Sequence, residues 1–467
     1  MNRRQLVTLV MVLIVFSLSC QSIPFLAHPT STPTATPTRT PTPRDSSIPA
    51  EDTPEPEVAQ PTPTVEEAGP VVITWWHTTT QKEWKAVWRQ LADEFMALHP
   101  NVTIEIRALE IEAFKAKLAA AMRADDPPDI FQSWGGVVLN EYAEAGLLRD
   151  ITPELDADGG AWRNTFGIGA LGVYAYKGAN YGAPWDMGMI GWWYNKALLL
   201  QAGIEIFPAT WSEFTGAVTK LKNAGITPIA VGLGDKWPGM FYYMYLVARI
   251  GGRAAFEGAM LRSGSFADEP FVRAGGMVRD LVNRKPFQDG FLGATYGDEA
   301  TIMGDGLAAM ELMGQWAPSV NASFSADGEG IGDDLDWAPF PAVAGGAGDP
   351  NDAAGGGNGF AIGRDAPDAA VDFVKYLTRP ESQMLCAADG WCLPVVAGGE
   401  TAMTDPLMIK VQRQLALAKY LQLYYDHALP PALGGAVNSS VQALFAGTMT
   451  PEECAQAIED SAQQELD

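Results

Sequence analysis

The sequence predicts an α/β protein built of two mostly parallel sheets flanked by helices. Three observations carry this. Short β-prone apolar runs alternate with segments of helical periodicity, and that alternation restarts midway along the chain. The chain has 467 residues with 47% hydrophobic content, more than one core ordinarily holds.

Val71 to Trp76 reads as the first strand. A helix follows, opened by a capping box at Thr80 and Glu83 and marked by Trp84, Val87, Trp88, Leu91 and Phe95 on one face. Val102 to Ile106 is the second strand, and Phe114, Leu118 and Met122 mark the second helix, stopped by Pro127-Pro128. Asp129 to Trp134 is the third strand, with Gly135-Gly136 behind it. The pattern resumes at Met189 to Tyr194. Thr210 and Glu213 form another capping box, and their helix ends at Gly225. Further strands are expected at Pro228–Val231, Ala308–Met313, Trp337–Phe340 and Phe360–Ile362, with a helix from about Pro367 to Leu377 and a last helix opened by Thr450-Pro451-Glu452-Glu453. Open sheets of this kind bind ligands at the carboxyl ends of their strands.

Composition narrows the function. The 31 Lys and Arg against 56 Asp and Glu leave a net charge of −25, which repels nucleic-acid phosphates. Four histidines, at 28, 77, 99 and 427, provide no paired-His metal spacing, and there is no serine-nucleophile elbow or phosphate-binding P-loop. No metal or cofactor is expected. Fourteen Trp is a high count, and several fall where strands end.

Residues 1–20 read as a secretory signal: Arg3 and Arg4, an apolar run from Leu6 to Leu18, then Ser17-Leu18-Ser19-Cys20, which resembles a bacterial lipobox with Cys20 as the lipidated residue. Residues 21–70 hold 12 Pro and 10 Thr and cannot bury enough surface to fold, so a disordered tether is expected. Cys386 and Cys392 flank Asp389-Gly390, a turn former, and in an exported chain read as a small disulfide loop. Cys454 reads as a buried free thiol.

From Val71 onward the chain resembles the extracellular solute-binding proteins of sugar ABC importers, the maltose-binding type. The resemblance rests on Ile73-Thr-Trp-Trp-His77, Pro128-Asp-Ile-Phe-Gln-Ser-Trp-Gly-Gly136, Tyr181-Gly-Ala-Pro-Trp-Asp186 with Trp193-Tyr-Asn-Lys196, Gly306-x-Ala-Ala-Met310 with Gly314-Gln-Trp316, and Gly357-Asn-Gly-Phe-Ala-Ile362. It implies a two-lobed, periplasmic-binding-protein-like fold with a ligand cleft at the hinge. One lobe would be 71–183 and 341–397, the other 184–340 and 398–467. It also implies no catalysis, a monomer outside the cytoplasmic membrane, and permease subunits as partners.

Sugar rings present apolar faces and a belt of hydroxyls, so they call for aromatic platforms and planar polar groups. On that ground and by family position the ligand-binding candidates are Trp134 and Trp316 as platforms, His77 and Thr78 closing the first strand, Trp185 and Asp186 after the hinge Pro184, Trp237 in a loop, and Gly357 and Asn358 entering a strand. Trp84, Trp88, Tyr242, Tyr243 and Tyr245 read as core. A phosphorylated polyol would want cations at the strand ends, where Lys236 is the only nominee. A glycan-active enzyme would need a second carboxylate facing Asp186.

Overall fold

The computed structural model describes residues 69–167, 170–388 and 390–467. The signal segment, Cys20 and the Pro/Thr-rich stretch through residue 68 lie outside the described residues.

The first sheet has strand order Val102–Ala108, Val71–His77, Ile130–Ser133, Gly359–Ile362, Gly182–Pro184. Its first three strands are parallel, as the strand–helix alternation requires, and Gly359–Ile362 runs antiparallel to both its neighbours. Trp75 projects from the central region into a core of rings, 5.2 Å from Trp88, 5.6 Å from Phe360 and 5.2 Å from Phe373. Helix Lys82–Leu98 buries Trp88, Leu91, Ala92 and Phe95, the stripe its periodicity announced. Large aromatics bury roughly 150–250 Å² each, so a cluster of this kind dominates the hydrophobic stabilisation of its sheet.

The second sheet has order Leu335–Ala338, Gly191–Asn195, Ala308–Met313, Thr227–Ile229. It is mixed rather than mostly parallel, because Gly191–Asn195 runs antiparallel to both neighbours while Ala308–Met313 is parallel to Thr227–Ile229. Helix Trp237–Met260 lies in its core with Tyr242, Tyr243 and Tyr245 buried. Arg249 of this helix is also buried; its guanidinium donates to the carbonyls of Asp352 at 2.7 Å, Phe340 at 3.2 Å and Asp349 at 3.3 Å.

A third, three-stranded sheet of Leu421–Leu423, Ala353–Gly356 and Gly188–Met189 lies between the other two along the chain. Gly182–Pro184 belongs to the first sheet, Gly188–Met189 to this one and Gly191–Asn195 to the second. Ala353–Gly356 and Gly359–Ile362 return antiparallel beside the first two. The two crossings therefore run side by side, giving a two-lobed α/β molecule.

Local expectations fared unevenly. The boxes at Thr210/Glu213 and Thr450/Glu453 are formed, and a third closes between Thr295 and Asp298. The box expected at Thr80 is not: the first helix begins at Lys82, with Gln81 as N-cap and no side-chain cap. The neighbouring Thr79 hydroxyl accepts from the Trp88 indole at 3.1 Å. Cys386 and Cys392, both buried, are joined in a disulfide, and Cys454 is a buried free thiol.

Two carboxyls lie in the second lobe with no cation beside them among the described residues. Gly232 N–H donates to Glu299 at 2.7 Å and the Asn321 amide donates to Glu311 at 2.5 Å; both acids are fully buried. Burial pushes Glu311 up to about 8, and burial together with the neighbouring Glu311 charge holds Glu299 well above the carboxylate range. A carboxyl whose folded pKa is raised gives stability that is complete below its unfolded value near 4.5 and is lost as pH rises through the folded value. The melting temperature should fall by several degrees between pH 5 and pH 8, and Glu311→Gln should flatten that fall. Scanning calorimetry across this range tests it; parallel profiles for variant and wild type would contradict the assignment.

Candidate functional site

The site is built where the crossings meet, and backbone proximity shapes it. A Cβ on Gly357 would stand 2.2 Å from the Asp186 carbonyl oxygen, and one on Gly188 would stand 1.7 Å from the Gln315 amide. Side chains are excluded there, so two backbones and the Gln315 amide can pack directly. The glycine at 357 is thus explained by the crossing strands. Around this point the polar candidates bond to one another. Thr78 donates through N–H and hydroxyl to Gln132 Oε1, at 2.9 Å each. Gln132 donates to Asn358 Oδ1 at 2.9 Å. Asn358 donates to the buried Asp186 carboxylate from its backbone at 2.7 Å and from its side chain at 2.9 and 3.1 Å.

The aromatic candidates assemble differently. Trp134 and Trp316 are both partly exposed. Trp134 stacks on His427 with centroids 4.8 Å apart, His427 meets Tyr424 edge-on at 5.4 Å, and Tyr424 meets Trp316 edge-on at 6.4 Å. A continuous aromatic wall therefore runs from the end of a first-lobe strand to the loop after a second-lobe strand. Tyr424 and His427 come from the turn after strand Leu421–Leu423. Lys115 ties this turn to the first lobe, lying 3.8 Å from Asp426 and 5.9 Å from the Trp134 ring centroid. Burial pulls His427 down to about 4, so it is a neutral aromatic ring at ordinary pH.

Three candidates lie elsewhere. Trp185 is 2% exposed in the first-lobe core, 4.6 Å from Trp88 and 6.1 Å from Trp391 beside the disulfide. Its position after Pro184 pointed to the cleft, but the strand turns its ring to the packed face. Trp237 is the first residue of helix Trp237–Met260 rather than a loop residue; it is buried against Phe241 and Tyr296. His77 is 1% exposed, accepts from Thr79 N–H at 3.2 Å and lies 5.1 Å from Trp75. Burial, aided by Lys85, lowers it to about 3. Lys236 donates to the Ser439 hydroxyl at 3.2 Å.

Sequence reasoning missed Gln132, Gln315, Tyr424 and His427. A signal existed for the first two: each is a polar residue one or two positions before a nominated Trp, at the end of an apolar run. The strand that precedes Tyr424 has too short an apolar pattern to announce itself.

The packing of Trp185 makes a direct test. Trp185→Ala should cost about 3–5 kcal/mol of stability, as core truncations of large aromatics do. Denaturant unfolding measures it, and an unchanged unfolding midpoint would return Trp185 to the cleft.

Comparison with known proteins agrees with this architecture. Residues 78–384 match the model of the bacterial extracellular solute-binding proteins. An uncharacterised ABC transporter extracellular-binding protein of Pyrococcus horikoshii is 26% identical over 277 residues, 58% of this chain and 60% of that one. A probable sugar-binding periplasmic protein of Mesorhizobium japonicum is 26% identical over 50% of this chain and 54% of that one, so the chain matches little more than half the length of these two relatives. A chitin oligosaccharide binding protein superposes with a TM-score of 0.79 at 27% identity, over 85% of this chain and 99% of that one. A structure from work on xylan utilization by Caldanaerobius polysaccharolyticus superposes at 0.78 with 28% identity, over 83% and 99%. The match across well over half its length, on the two-lobed fold described above, establishes that the chain belongs to the bacterial extracellular solute-binding protein family.

Proposed function

We propose that this protein is the solute receptor of an ABC importer, that its solute is a carbohydrate, most simply an oligosaccharide, and that it performs no catalysis. The observation that carries this reading is the aromatic wall. Flat rings from both lobes, Trp134 and Trp316, remain partly exposed near the amides of Gln132 and Asn358, which is the chemistry that sugar faces and hydroxyls require. Relatives named for chitin oligosaccharides and for sugars support the same class. A phosphorylated solute would want cations at the strand ends, and the nominee Lys236 is engaged with Ser439. A hydrolase would need a second carboxylate facing Asp186, and Asp186 is instead bound to Asn358.

In this reading the lobes are 71–183 with 341–397 and 184–340 with 398–467, with 341–354 packing against the second lobe's Arg249 helix ahead of the return crossing, and they close on the solute before the receptor docks on its membrane permease as a monomer. The anchor is Cys20, with residues 21–70 as tether. Among the described residues no helix is long and apolar enough to cross a membrane.

Two measurements test the reading. A thermal-shift screen over xylo- and chito-oligosaccharides selects the ligand, because a specific ligand raises the melting temperature by mass action. Against that ligand, Trp134→Ala and Trp316→Ala should each weaken binding by about one to two decades, the equivalent of roughly 1–3 kcal/mol of lost stacking, with melting temperatures near wild type. Full affinity in both variants would refute the platform assignment. For the anchor, wild-type protein in a bacterial host should incorporate labelled fatty acid and Cys20→Ala should not; wild-type protein without label would refute it.

A further inference from the structure

Side-chain hydrogen bonds form an unbroken line through the crossing, and each one points at Asp186. Thr78 donates to Gln132, Gln132 to Asn358, and Asn358 to Asp186. From the other side Gln315, packed against Gly188, is among the groups that oppose the burial-driven rise of the same carboxyl's pKa. Asp186 is thus the sink of the line. Gln132 and Asn358 each accept at the amide oxygen and donate onward at the nitrogen, whereas the ionised carboxylate only accepts. Gln132 and Gln315 adjoin the two platforms along the chain. Gln132 lies two residues before Trp134, on the strand that Trp134 follows. Gln315 directly precedes Trp316, and its side chain is wedged against Gly188, where no Cβ fits.

We propose that Asp186 is a positioning residue for solute capture. Without touching the solute, its carboxylate holds Asn358 and, through it, Gln132, so that Trp134 is set to meet one ligand together with Trp316. The proposal rests on the reading of those two tryptophans as platforms.

The direction of the line makes it sensitive to a proton. Protonation of Asp186 removes the charge that strengthens the Asn358 bonds, and the line is weakened at its sink. Burial raises the Asp186 carboxyl to about 6, with Asn358 and Gln315 opposing the rise. The titratable groups facing it are the hydroxyls of Tyr174 and Tyr424, both held well above their ordinary value and so neutral near pH 6. His77 and His427, lowered to about 3 and about 4, are also neutral there. The positioned state is therefore complete at pH 7 and is lost as pH falls through about 6.

The test is a calorimetric titration of the mature protein at pH 7, 6 and 5, with chitotriose and xylotriose as parallel probes. With a competent fraction near one tenth at pH 5, wild-type affinity should be about tenfold weaker there than at pH 7. Asp186→Asn is isosteric but holds the site uncharged, so its affinity should be weak at pH 7 and flat across the range. Gln132→Ala should weaken binding through the same line. The double variant should then bind no worse than the weaker single variant, since residues in one network do not lose energy additively. Wild-type affinity in Asp186→Asn, retention of the pH slope in that variant, or additive losses in the double variant would each overturn the proposal. If Asp186→Asn fails to fold, Gln132→Ala decides alone: weakened binding at a wild-type melting temperature supports the line and full affinity overturns it. Should Trp134→Ala and Trp316→Ala weaken binding while Asp186→Asn does not, the line is refuted and the platforms stand. Should neither tryptophan matter, the platform reading itself has failed.

Discussion

The structure depends on two backbones passing at close range. Gly182–Met189 and Gly355–Ile362 run antiparallel through the middle of the molecule, each contributing to more than one sheet. The absence of side chains at Gly188 and Gly357 lets the strands approach and leaves space for the Gln315 amide. A side chain at either position would force the segments apart, and Asp186, Asn358 and Gln315 would lose their common meeting point. Placing the polar site at the crossing has a mechanical consequence: any rotation of one lobe against the other is felt there first.

Aromatic residues divide into two populations with different work. Trp75, Trp88, Trp185 and Trp391 pack into the first-lobe core, and Trp192, Trp193 and Trp337 into the second. Trp134 and Trp316 sit at the edges of these cores, partly exposed, and meet through His427 and Tyr424. The buried ionisable groups complement this arrangement. His77 and His427 are neutral because burial disfavours their charge, and Glu299 and Glu311 hold protons for the same reason. The cleft region thus presents rings and amides, with its charges paired between Lys115 and Asp426 or held at Asp186, which suits a polar, uncharged solute.

Much of the fold was legible in the sequence because its signals are local. Helical stripes such as Trp88, Leu91 and Phe95 and capping boxes such as Thr210/Glu213 depend on neighbours a few residues apart. The antiparallel insertion of Gly191–Asn195 was not legible, since strand direction within a sheet is settled by contacts far along the chain. The site shows the same division. Trp134 and Trp316 follow apolar runs and could be found from that position. Trp185 stands next to Asp186 in the same hinge segment yet faces the core, because alternate residues of an extended chain point to opposite sides. The roles of Tyr424 and His427 were invisible because only the third sheet brings their turn to the wall.

The central claim is that one carbohydrate is held between Trp134 and Trp316 across the crossing. A crystal structure of the mature protein with the oligosaccharide selected by thermal shift tests this most directly. The account predicts sugar rings packed on both indoles, with the hydrogen-bonded line from Thr78 to Asp186 intact beside them. Ligand bound at a site that touches neither indole would contradict it.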